Sequence, residues 1–205
     1  MVRKLIITAK ELKKTAYHHY GNNFLSLFKF VYYSILRINR FNIYENKLSQ
    51  DEVLIKLDPE YKIVVPSLSE LNKIRDGEKL PREFYYDRIH KLKKCYLAFK
   101  GKELAYIHWV QFKGDHSRFL VLGDNVAELN YNTTLPSHRG KYLSAKMMSY
   151  ISKDLKKHGI KKVMGVIHEK NLASIKTIEK AGFSRVGVIK ALGPFNKKME
   201  ITVDD

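Results

Sequence analysis

Three consecutive residues, Arg139, Gly140 and Lys141, form a basic turn with the right chemistry to bind an anion. A stretch with apolar residues at helical spacing follows directly, so a helix should begin at this turn. The first N–H groups of a helix have no partner within it, and the helix dipole leaves partial positive charge there. With two basic side chains beside them, these N–H groups predict a seat for the phosphate or pyrophosphate of a nucleotide-like cofactor.

A strand and a helix must position this turn. Residues 127–135 alternate in polarity and run into Pro136, which predicts a strand that ends at the proline. The predicted helix has an apolar face made of Leu143, Met147, Ile151 and Leu155. The sequence therefore predicts a strand, a short basic turn and a helix in that order.

A second segment has a similar organisation. Residues 162–167 are apolar and predict a buried strand, and residues 171–183 then predict a helix. Asn171 is a favourable residue for the helix start, and Gly182 suits the left-handed position after the helix end. This segment therefore adds a second strand–helix unit downstream of the first.

These two segments resemble the motifs of the GNAT superfamily of N-acetyltransferases. In that family Arg/Gln-x-x-Gly-x-Gly/Ala at a helix start binds the pyrophosphate of acetyl-CoA, and residues 139–144 stand in that place, with Tyr142 and Ser144 replacing the two glycines. Asn171 and Gly182-Phe183 match the second family motif, but Ile178 stands where the family often has a tyrosine acid. The resemblance extends over residues 60–200.

The resemblance implies both a fold and a cofactor. The expected fold is α/β (α+β), with a mixed, mostly antiparallel central sheet flanked by helices. The expected cosubstrate is acetyl-CoA or another acyl-CoA, with no metal. The residues expected to bind the cofactor are Thr134, Leu135, Arg139, Gly140, Lys141, Tyr142, Leu143, Ser144, Asn171 and Ser174.

The function implied by the resemblance is that of an acyl-CoA-dependent N-acyltransferase, with transfer of acetyl to a primary amine. The acceptor stays open between a small amine, an amino sugar and a peptide amino group. The alternative is a non-catalytic module that keeps the fold and senses acyl-CoA or binds a partner. The changes at Tyr142, Ser144 and Ile178 motivate this alternative.

Acetyl transfer needs a neutral amine, a polarised thioester carbonyl and a stabilised leaving sulfur. Glu128 is the first candidate for the general base, and Tyr131 lies on the same predicted strand. Tyr142 is the candidate for the missing acid, and backbone N–H groups near Thr134 and Leu135 are expected to contact the carbonyl. The second choices for catalytic roles are His138, His168 and Glu169.

Upstream residues predict the remainder of the domain. Residues 94–99 and 103–109 read as a hairpin whose short connection contains Gly101. Residues 67–92 read as two helices separated by Pro81, which should wall the acceptor pocket. The candidate acceptor contacts are Glu83, Tyr85, Tyr86, Asp87 and Arg88.

The composition limits the chemical classes of partner that the protein can have. The 205 residues carry a formal net charge of +17, which favours acidic partners such as cofactor phosphates or an anionic membrane surface. No known nucleic-acid-binding motif occurs, so nucleic acid is an unlikely partner. The single cysteine, Cys95, excludes an internal disulfide framework and fits a reducing compartment, and no histidine spacing suggests a metal. We therefore expect a cytoplasmic protein.

The first 50 residues lie outside the resemblance and form a predicted extension, with the GNAT-like domain at 51–205. Residues 24–38 predict a basic amphipathic helix with a wide apolar face, too short to cross a membrane. Such a face can dock on the domain, form a homodimer, or touch the inner face of the membrane. Residues 41–45 and 52–56 predict strands, and no signal peptide is recognised.

Overall fold

The computed structural model describes Leu25, Phe28 and residues 38–48, 55–193 and 197–204. The strands are β1 Ile38–Lys47, β2 Tyr61–Val64, β3 Lys94–Lys100, β4 Glu103–Gln111, β5 Val126–Thr134, β6 Lys162–His168, β7 Ser184–Leu192 and β8 Lys197–Val203. The α-helices are α1 Leu68–Arg75, α2 Tyr86–His90, α3 Leu143–Lys157 and α4 Leu172–Lys180. Short 3₁₀ turns span Arg82–Tyr85 and Pro136–His138.

The strands form a mixed sheet in the order β2-β3-β4-β5-β6-β1-β7-β8. The pairs β2–β3, β3–β4 and β4–β5 are antiparallel, while β5 and β6 are parallel. The sheet is therefore mixed and mostly antiparallel, as the family resemblance implied. The predicted hairpin is β3–β4, and its connection holds Gly101 at a φ of 59°.

The chain divides into two compact units. The larger unit, Asn42–Val188 with Val203–Asp205, contains β2 to β6 and helices α1 to α4. The smaller unit comprises Met1–Phe41 and Ile189–Thr202. Within its described part, Asn39 Nδ2 donates to the Gly193 carbonyl and Lys190 Nζ lies 2.8 Å from Glu200 Oε2.

An extra residue in β5 opens the sheet beside β6. Trp109 pairs with Asn130 and His108 pairs with Asn132, so Tyr131 is an inserted bulge residue with a φ of 51°. A bulge bends its strand and increases the local twist. Beyond Glu128 the parallel register of β5 with β6 ends, so the two strands leave a cleft between them.

Helices α3 and α4 cover one face of this part of the sheet. The predicted apolar face of α3 is buried at Leu143, Met147, Ile151 and Leu155. Asn171 caps α4 by accepting a hydrogen bond from the Ser174 N–H, and Gly182 follows the helix with a φ of 85°. Both strand–helix units predicted from the sequence are therefore present.

Helices α1 and α2 cover the opposite face. Ser67 and Glu70 form a capping box at the start of α1, and Pro81 precedes the 3₁₀ turn that leads into α2. The Arg75 guanidinium from α1 bonds the Phe84 carbonyl and both carboxylate oxygens of Asp87. The side chains of Arg75 and Asp87 are only 2% and 8% exposed, so a buried ion pair joins the two helices.

Most of the predicted amphipathic segment 24–38 lies outside the described residues. Within it, Leu25 and Phe28 are described as helical and exposed, whereas Ile38 is the first residue of β1, so the predicted helix does not extend to residue 38. The predicted strand 41–45 lies within β1, whereas Ile55 and Lys56 are not in a strand and residues 52–54 lie outside the described part. No helix among the described residues is long and apolar enough to cross a membrane. The boundary at residue 50 stays a prediction.

Candidate active site

A cavity of about 660 Å³ lies at the start of α3. We call it the first cavity. It brings together many of the residues that the sequence assigned to cofactor binding, from the end of β5, the basic turn, the first turn of α3 and the first turn of α4. These are Thr134, Arg139, Gly140, Tyr142, Leu143, Ser144 and Ser174.

Local backbone conformation points the helix start at the first cavity. Gly140 and Tyr142 have φ values of 78° and 55°, and Tyr142 is the residue that precedes the helix. The first helical hydrogen bond runs from the Lys146 N–H to the Tyr142 carbonyl, and no side chain caps this end. The N–H groups of the first turn therefore remain available to an anion.

Basic side chains surround this helix start. Arg139 Nε donates to the Thr134 carbonyl at 3.0 Å, which holds the guanidinium at the end of β5. Lys180, at the end of α4, stacks over the Tyr142 ring with its Nζ 3.6 Å from the ring centroid. Lys141 is exposed and does not line the first cavity. The Lys180 contact was not foreseen from the sequence because it joins two helices.

A second cavity of about 240 Å³ lies in the cleft between β5 and β6. It shares Asn132, Met148 and Ser174 with the first cavity, so the two meet at these residues. The side chains that distinguish the second cavity come from the α2 side, the bulge and the end of β6. They include Glu83, Tyr86, Tyr131, His168 and Asn171.

Backbone groups of β5 also face the cleft. The Leu135 N–H donates to the Ala105 carbonyl at 2.9 Å, so Leu135 is bonded to β4 and its N–H is occupied. Successive residues of a strand direct their N–H groups to opposite sides, so those of Thr134 and Asn132 point away from β4. Of the two backbone N–H groups expected to contact a thioester carbonyl, that of Thr134 therefore points toward the cleft, whereas that of Leu135 is bonded to β4.

Aromatic residues form one wall of the second cavity. The His90 ring stacks on Tyr131 at 4.9 Å, and Tyr86 contacts both rings edge to face. Burial, together with the positive charges of Arg82 and Arg118, lowers the pKa of His90. Trp109 Nε1 donates to the Glu83 carbonyl at 2.7 Å, which fixes the turn that carries Glu83 and Tyr86.

Glu128 lies behind the second cavity rather than in its wall. Its side chain is fully buried, and its Oε1 accepts a hydrogen bond from Asn130, which does line the cavity. Burial raises the pKa of the Glu128 carboxyl to about 7, although a hydrogen bond with Ser117 acts in the opposite direction. The Asn130 side chain therefore lies between the carboxylate of the proposed base and the cavity.

The other catalytic candidates are spread over the site. Tyr131 lines the second cavity and Tyr142 the first, where its side chain is 62% exposed. His138 lines the first cavity, with Nε2 3.1 Å from Glu103 Oε1. His168 lines the second cavity, and Glu169 lines neither. These catalytic roles stay predictions.

Ile178 occupies the position where the resemblance led us to look for a tyrosine. It is buried and lines the second cavity, directly above Gly165 of β6. A Cβ atom added at Gly165 would lie 2.7 Å from Ile178 Cδ1, so the two residues fit each other closely. No hydroxyl is available at position 178 to act on a leaving group.

The single cysteine and the possible metal ligands can also be located in the structure. Burial raises the pKa of the Cys95 thiol to about 12, so this cysteine is a packed apolar residue and not a nucleophile. Among the residues that the structure describes, no group of three or more His, Cys, Asp or Glu side chains could hold a metal ion. Sequence reasoning overlooked Tyr106 and His108 of β4. The Tyr106 hydroxyl lies 2.8 Å from His108 Nδ1 and 3.1 Å from Ser144 Oγ, which lines the first cavity. The alternation of these two polar residues on one face of β4 was the available signal.

Comparison with known proteins agrees with this geometry. The sequence model of the acetyltransferase (GNAT) family matches residues 64–183, which include both cavities. A search of curated proteins found no match.

Several solved structures share the fold. A GNAT-family acetyltransferase structure from Novosphingobium aromaticivorans superposes with a TM-score of 0.55 at 15% identity, covering 76% of this chain and 64% of that one. A GNAT-family acetyltransferase of Colwellia psychrerythraea gives 0.51 at 15%, covering 74% and 55%. AAC(6′)-Ib in complex with paromomycin and acetyl-CoA gives 0.50 at 14%, covering 69% and 91%. The chain thus spans roughly half to two thirds of the first two proteins.

Proposed function

Because the chain belongs to the acetyltransferase (GNAT) family, we propose that it is an acyl-CoA-dependent N-acyltransferase that transfers acetyl from acetyl-CoA to a primary amine. The observation that carries this proposal is the junction of the two cavities at Asn132, Met148 and Ser174. One cavity presents helix N–H groups to an anion, and the other presents a carboxylate and aromatic rings. A thioester that enters through the first cavity would meet an amine in the second.

The residues at the helix start fit the phosphates of an acyl-CoA. The first-turn N–H groups of α3 have no capping side chain, and Arg139, Lys141 and Lys180 supply positive charge nearby. The outward-facing N–H of Thr134 is suited to the thioester carbonyl, where it would stabilise negative charge that develops during attack. Arg139, Lys141 and Thr134 were among the cofactor-binding residues predicted from the sequence, and the structure adds Lys180 to them.

The second cavity fits a small cationic acceptor. Its volume of about 240 Å³ admits only part of a large molecule. The Glu83 carboxylate and the faces of Tyr86 and Tyr131 would attract an ammonium group. The acceptor must lose a proton before it attacks, and Glu128, with its pKa raised to about 7, could receive that proton through solvent admitted beside Asn130. An aminoglycoside is present in one structural neighbour, which supports an amino sugar among the acceptors to be tested first.

Titration calorimetry with acetyl-CoA tests the cofactor seat. We expect binding that weakens roughly 5- to 30-fold in Arg139→Ala, because a charged hydrogen bond to phosphate contributes about 1–2 kcal/mol at an exposed site. Arg185→Ala is the matched control, since Arg185 is also exposed but pairs with Asp204 away from both cavities. Equal weakening in both variants would show a general charge effect rather than a seat.

Thiol release from acetyl-CoA against a panel of amines then tests the reaction. Amine-dependent release supports the transferase, and small amines, amino sugars and peptides with a free amino terminus identify the acceptor class. Binding without release by any amine favours the alternative, a non-catalytic sensor of acyl-CoA. The observation that favours this alternative is the buried Ile178, which stands where the family often has a tyrosine that acts as general acid.

The cellular setting stays a separate prediction. We propose a cytoplasmic protein whose residues 24–38 touch the inner face of the membrane, contact a second copy of the chain or dock on the domain itself. The net charge of +17 of the whole chain and the apolar pattern of that segment support the idea. Cosedimentation with anionic vesicles, together with the oligomeric state in solution, tests it. A monomer that does not bind vesicles would contradict both the membrane contact and the dimer, and would leave docking on the domain.

A further inference from the structure

A lysine and a tyrosine contact each other at the rim of the first cavity. Lys180 ends α4, and its Nζ lies 3.6 Å from the centroid of the Tyr142 ring. Tyr142 lines the first cavity and directly precedes α3, so the contact joins the end of one helix to the start of the other. Both residues are exposed, so a ligand from solution can reach the pair.

The position of Lys180 along α4 places it away from the junction of the two cavities. Ser174, near the start of the helix, lines both cavities, whereas Ala173 and Thr177 line the first. Ala173, Thr177 and Lys180 are spaced four and three residues apart, so they share one face of the helix. Lys180 follows Ser174 by six residues, which is about 9 Å along the helix axis. This face of α4 therefore leads from the junction to the Tyr142 ring.

Tyr142 adopts a backbone conformation that favours glycine. Its φ is 55°, and the family motif has a glycine at this position. A tyrosine in the left-handed region is uncommon and costs energy, and residues held in this way cluster at ligand sites. Tyr142 thus keeps the turn geometry of a glycine and adds a ring, against which the Lys180 ammonium lies.

The Lys180 ammonium has the bonding capacity to receive an anion. Among the residues that the structure describes, it contacts the Tyr142 ring, and no carboxylate forms an ion pair with it. The carboxylate next to it in sequence, Glu179, accepts a hydrogen bond from Tyr44 Oη at 3.1 Å. The face of a ring attracts an ammonium group without occupying its three N–H donors, so these donors can still bind phosphate oxygens.

Coenzyme A carries a phosphate group that suits this position. Its diphosphate separates the pantetheine arm, which ends at the sulfur, from a ribose that bears the 3′-phosphate. With the diphosphate at the start of α3 and the arm directed to the junction, the ribose lies on the side of the diphosphate away from the junction. The contact between Lys180 and Tyr142 is on that side, because it adjoins the helix start and lies at the far end of α4 from Ser174.

We propose that Lys180, held against the Tyr142 ring, binds the 3′-phosphate of coenzyme A, so that the protein binds coenzyme A more tightly than dephospho-coenzyme A. Tyr142 is the positioning residue, because its ring holds the ammonium beside the start of α3. The proposal rests on the proposed function and concerns one end of its cofactor. The interaction is a set of charge-assisted hydrogen bonds between ammonium and phosphate.

Titration calorimetry with coenzyme A and dephospho-coenzyme A tests the proposal without an amine. The two ligands differ only in the 3′-phosphate, so the ratio of their dissociation constants isolates the contribution of that group. We expect the ratio to favour coenzyme A, and Lys180→Ala to reduce this preference about 3- to 10-fold, as for a charged pair at an exposed site. An unchanged ratio in Lys180→Ala would overturn the inference, even if both ligands bound more weakly, because the lysine would then act on the diphosphate.

Two further variants separate this contact from a general effect of charge. Lys176→Ala is the matched control, because Lys176 is an exposed lysine of the same helix that lines neither cavity. It should keep the full preference for coenzyme A. Arg139→Ala should weaken both ligands by a similar factor, since the diphosphate is common to them. A loss of preference in Lys176→Ala equal to that in Lys180→Ala would overturn the inference.

Tyr142→Gly separates the role of the ring from the folding of the turn. Glycine adopts a φ of 55° without strain, so the turn should still form while the ring is removed. We expect this variant to lose about 2- to 3-fold of the preference, and Tyr142→Phe, which keeps the ring, to retain it. A full preference in Tyr142→Gly would overturn the positioning role.

The original protein separates failure of this inference from failure of the proposed function. Binding of coenzyme A and dephospho-coenzyme A with equal affinity would overturn the inference and leave the proposed function intact. Failure of both ligands to bind would overturn both.

Discussion

The two cavities are built in different ways. Most of the first is formed by local features of the chain, namely the basic turn, the left-handed Tyr142 and the uncapped start of α3, and α4 supplies the rest of its lining. The second depends on side chains brought together from α2, the β5 bulge and β6. Its wall is supported by contacts between different elements of the chain. Arg75 of α1 pairs with Asp87 of α2, and Trp109 of β4 donates to the Glu83 carbonyl. We therefore expect the second cavity to be more sensitive to changes away from its lining.

The largest effect should follow from breaking the buried ion pair. Asp87→Ala leaves the Arg75 guanidinium buried and without its carboxylate, which we expect to lower the free energy of unfolding by about 3–5 kcal/mol. Chemical denaturation measures this change. Asp124→Ala is the control, because Asp124 pairs with Lys113 at an exposed site and should change stability by less than about 1 kcal/mol.

Binding measured on the same Asp87→Ala variant sharpens the comparison. In the folded fraction, affinity for coenzyme A should change little, since the first cavity contains no residue of α1 or α2. Acceptor recognition should weaken, because Glu83 and Tyr86 lose their support. Equal loss of cofactor and acceptor binding would mean that the two cavities are not supported separately.

An intermediate effect should follow from filling the space above β6. Gly165→Ala places a Cβ atom against Ile178 Cδ1, and we expect a loss of about 1–3 kcal/mol in the free energy of unfolding. Ile178→Val removes that Cδ1 atom and alone should cost about 0.5–1.5 kcal/mol. The double variant should be more stable than the sum of the two losses predicts, and strict additivity would contradict the close fit.

The smallest effect concerns pH, because burial shifts the pKa values of His108 and Glu128 in opposite directions. The pKa of His108 falls from 6.5 to about 3 on folding, so it reduces stability as pH decreases below 6.5. The pKa of Glu128 rises from 4.5 to about 7, so it reduces stability as pH increases from 4.5 to 7. Between pH 4.5 and 6.5 the two effects oppose each other, and their contributions should largely cancel.

Replacing either group should make visible the pH dependence of stability that the other group causes. We expect Glu128→Gln to lose stability on acidification from pH 6.5 to 4.5, and His108→Gln to lose stability as pH rises over the same range. Each slope should be at most about 1.4 kcal/mol per pH unit relative to the original protein. Denaturant titrations at intervals of half a pH unit measure it. Parallel profiles for all three proteins would refute the opposed ionisation of these two groups.

The sequence allowed much of the first cavity to be predicted, since its features are local. Proline ended the strand, glycine allowed the turn, and the spacing of Leu143, Met147, Ile151 and Leu155 marked the buried face of α3. The bulge at Tyr131 could not be predicted, because it is defined by its register against β4. For the same reason the contact between the Tyr106 hydroxyl and Ser144 became visible only once β4 and α3 were placed together.

The sequence by itself determined the family and the order of strands and helices around the site, and it predicted where an anion would bind, because these follow from patterns over neighbouring residues. Only the tertiary structure decided which side chains share a cavity and which lie behind one. Glu128 illustrates the difference: its position on β5 was predictable, but its burial and its pKa near 7 come from distant groups. Burial is a property of packing, and packing joins residues that the sequence separates.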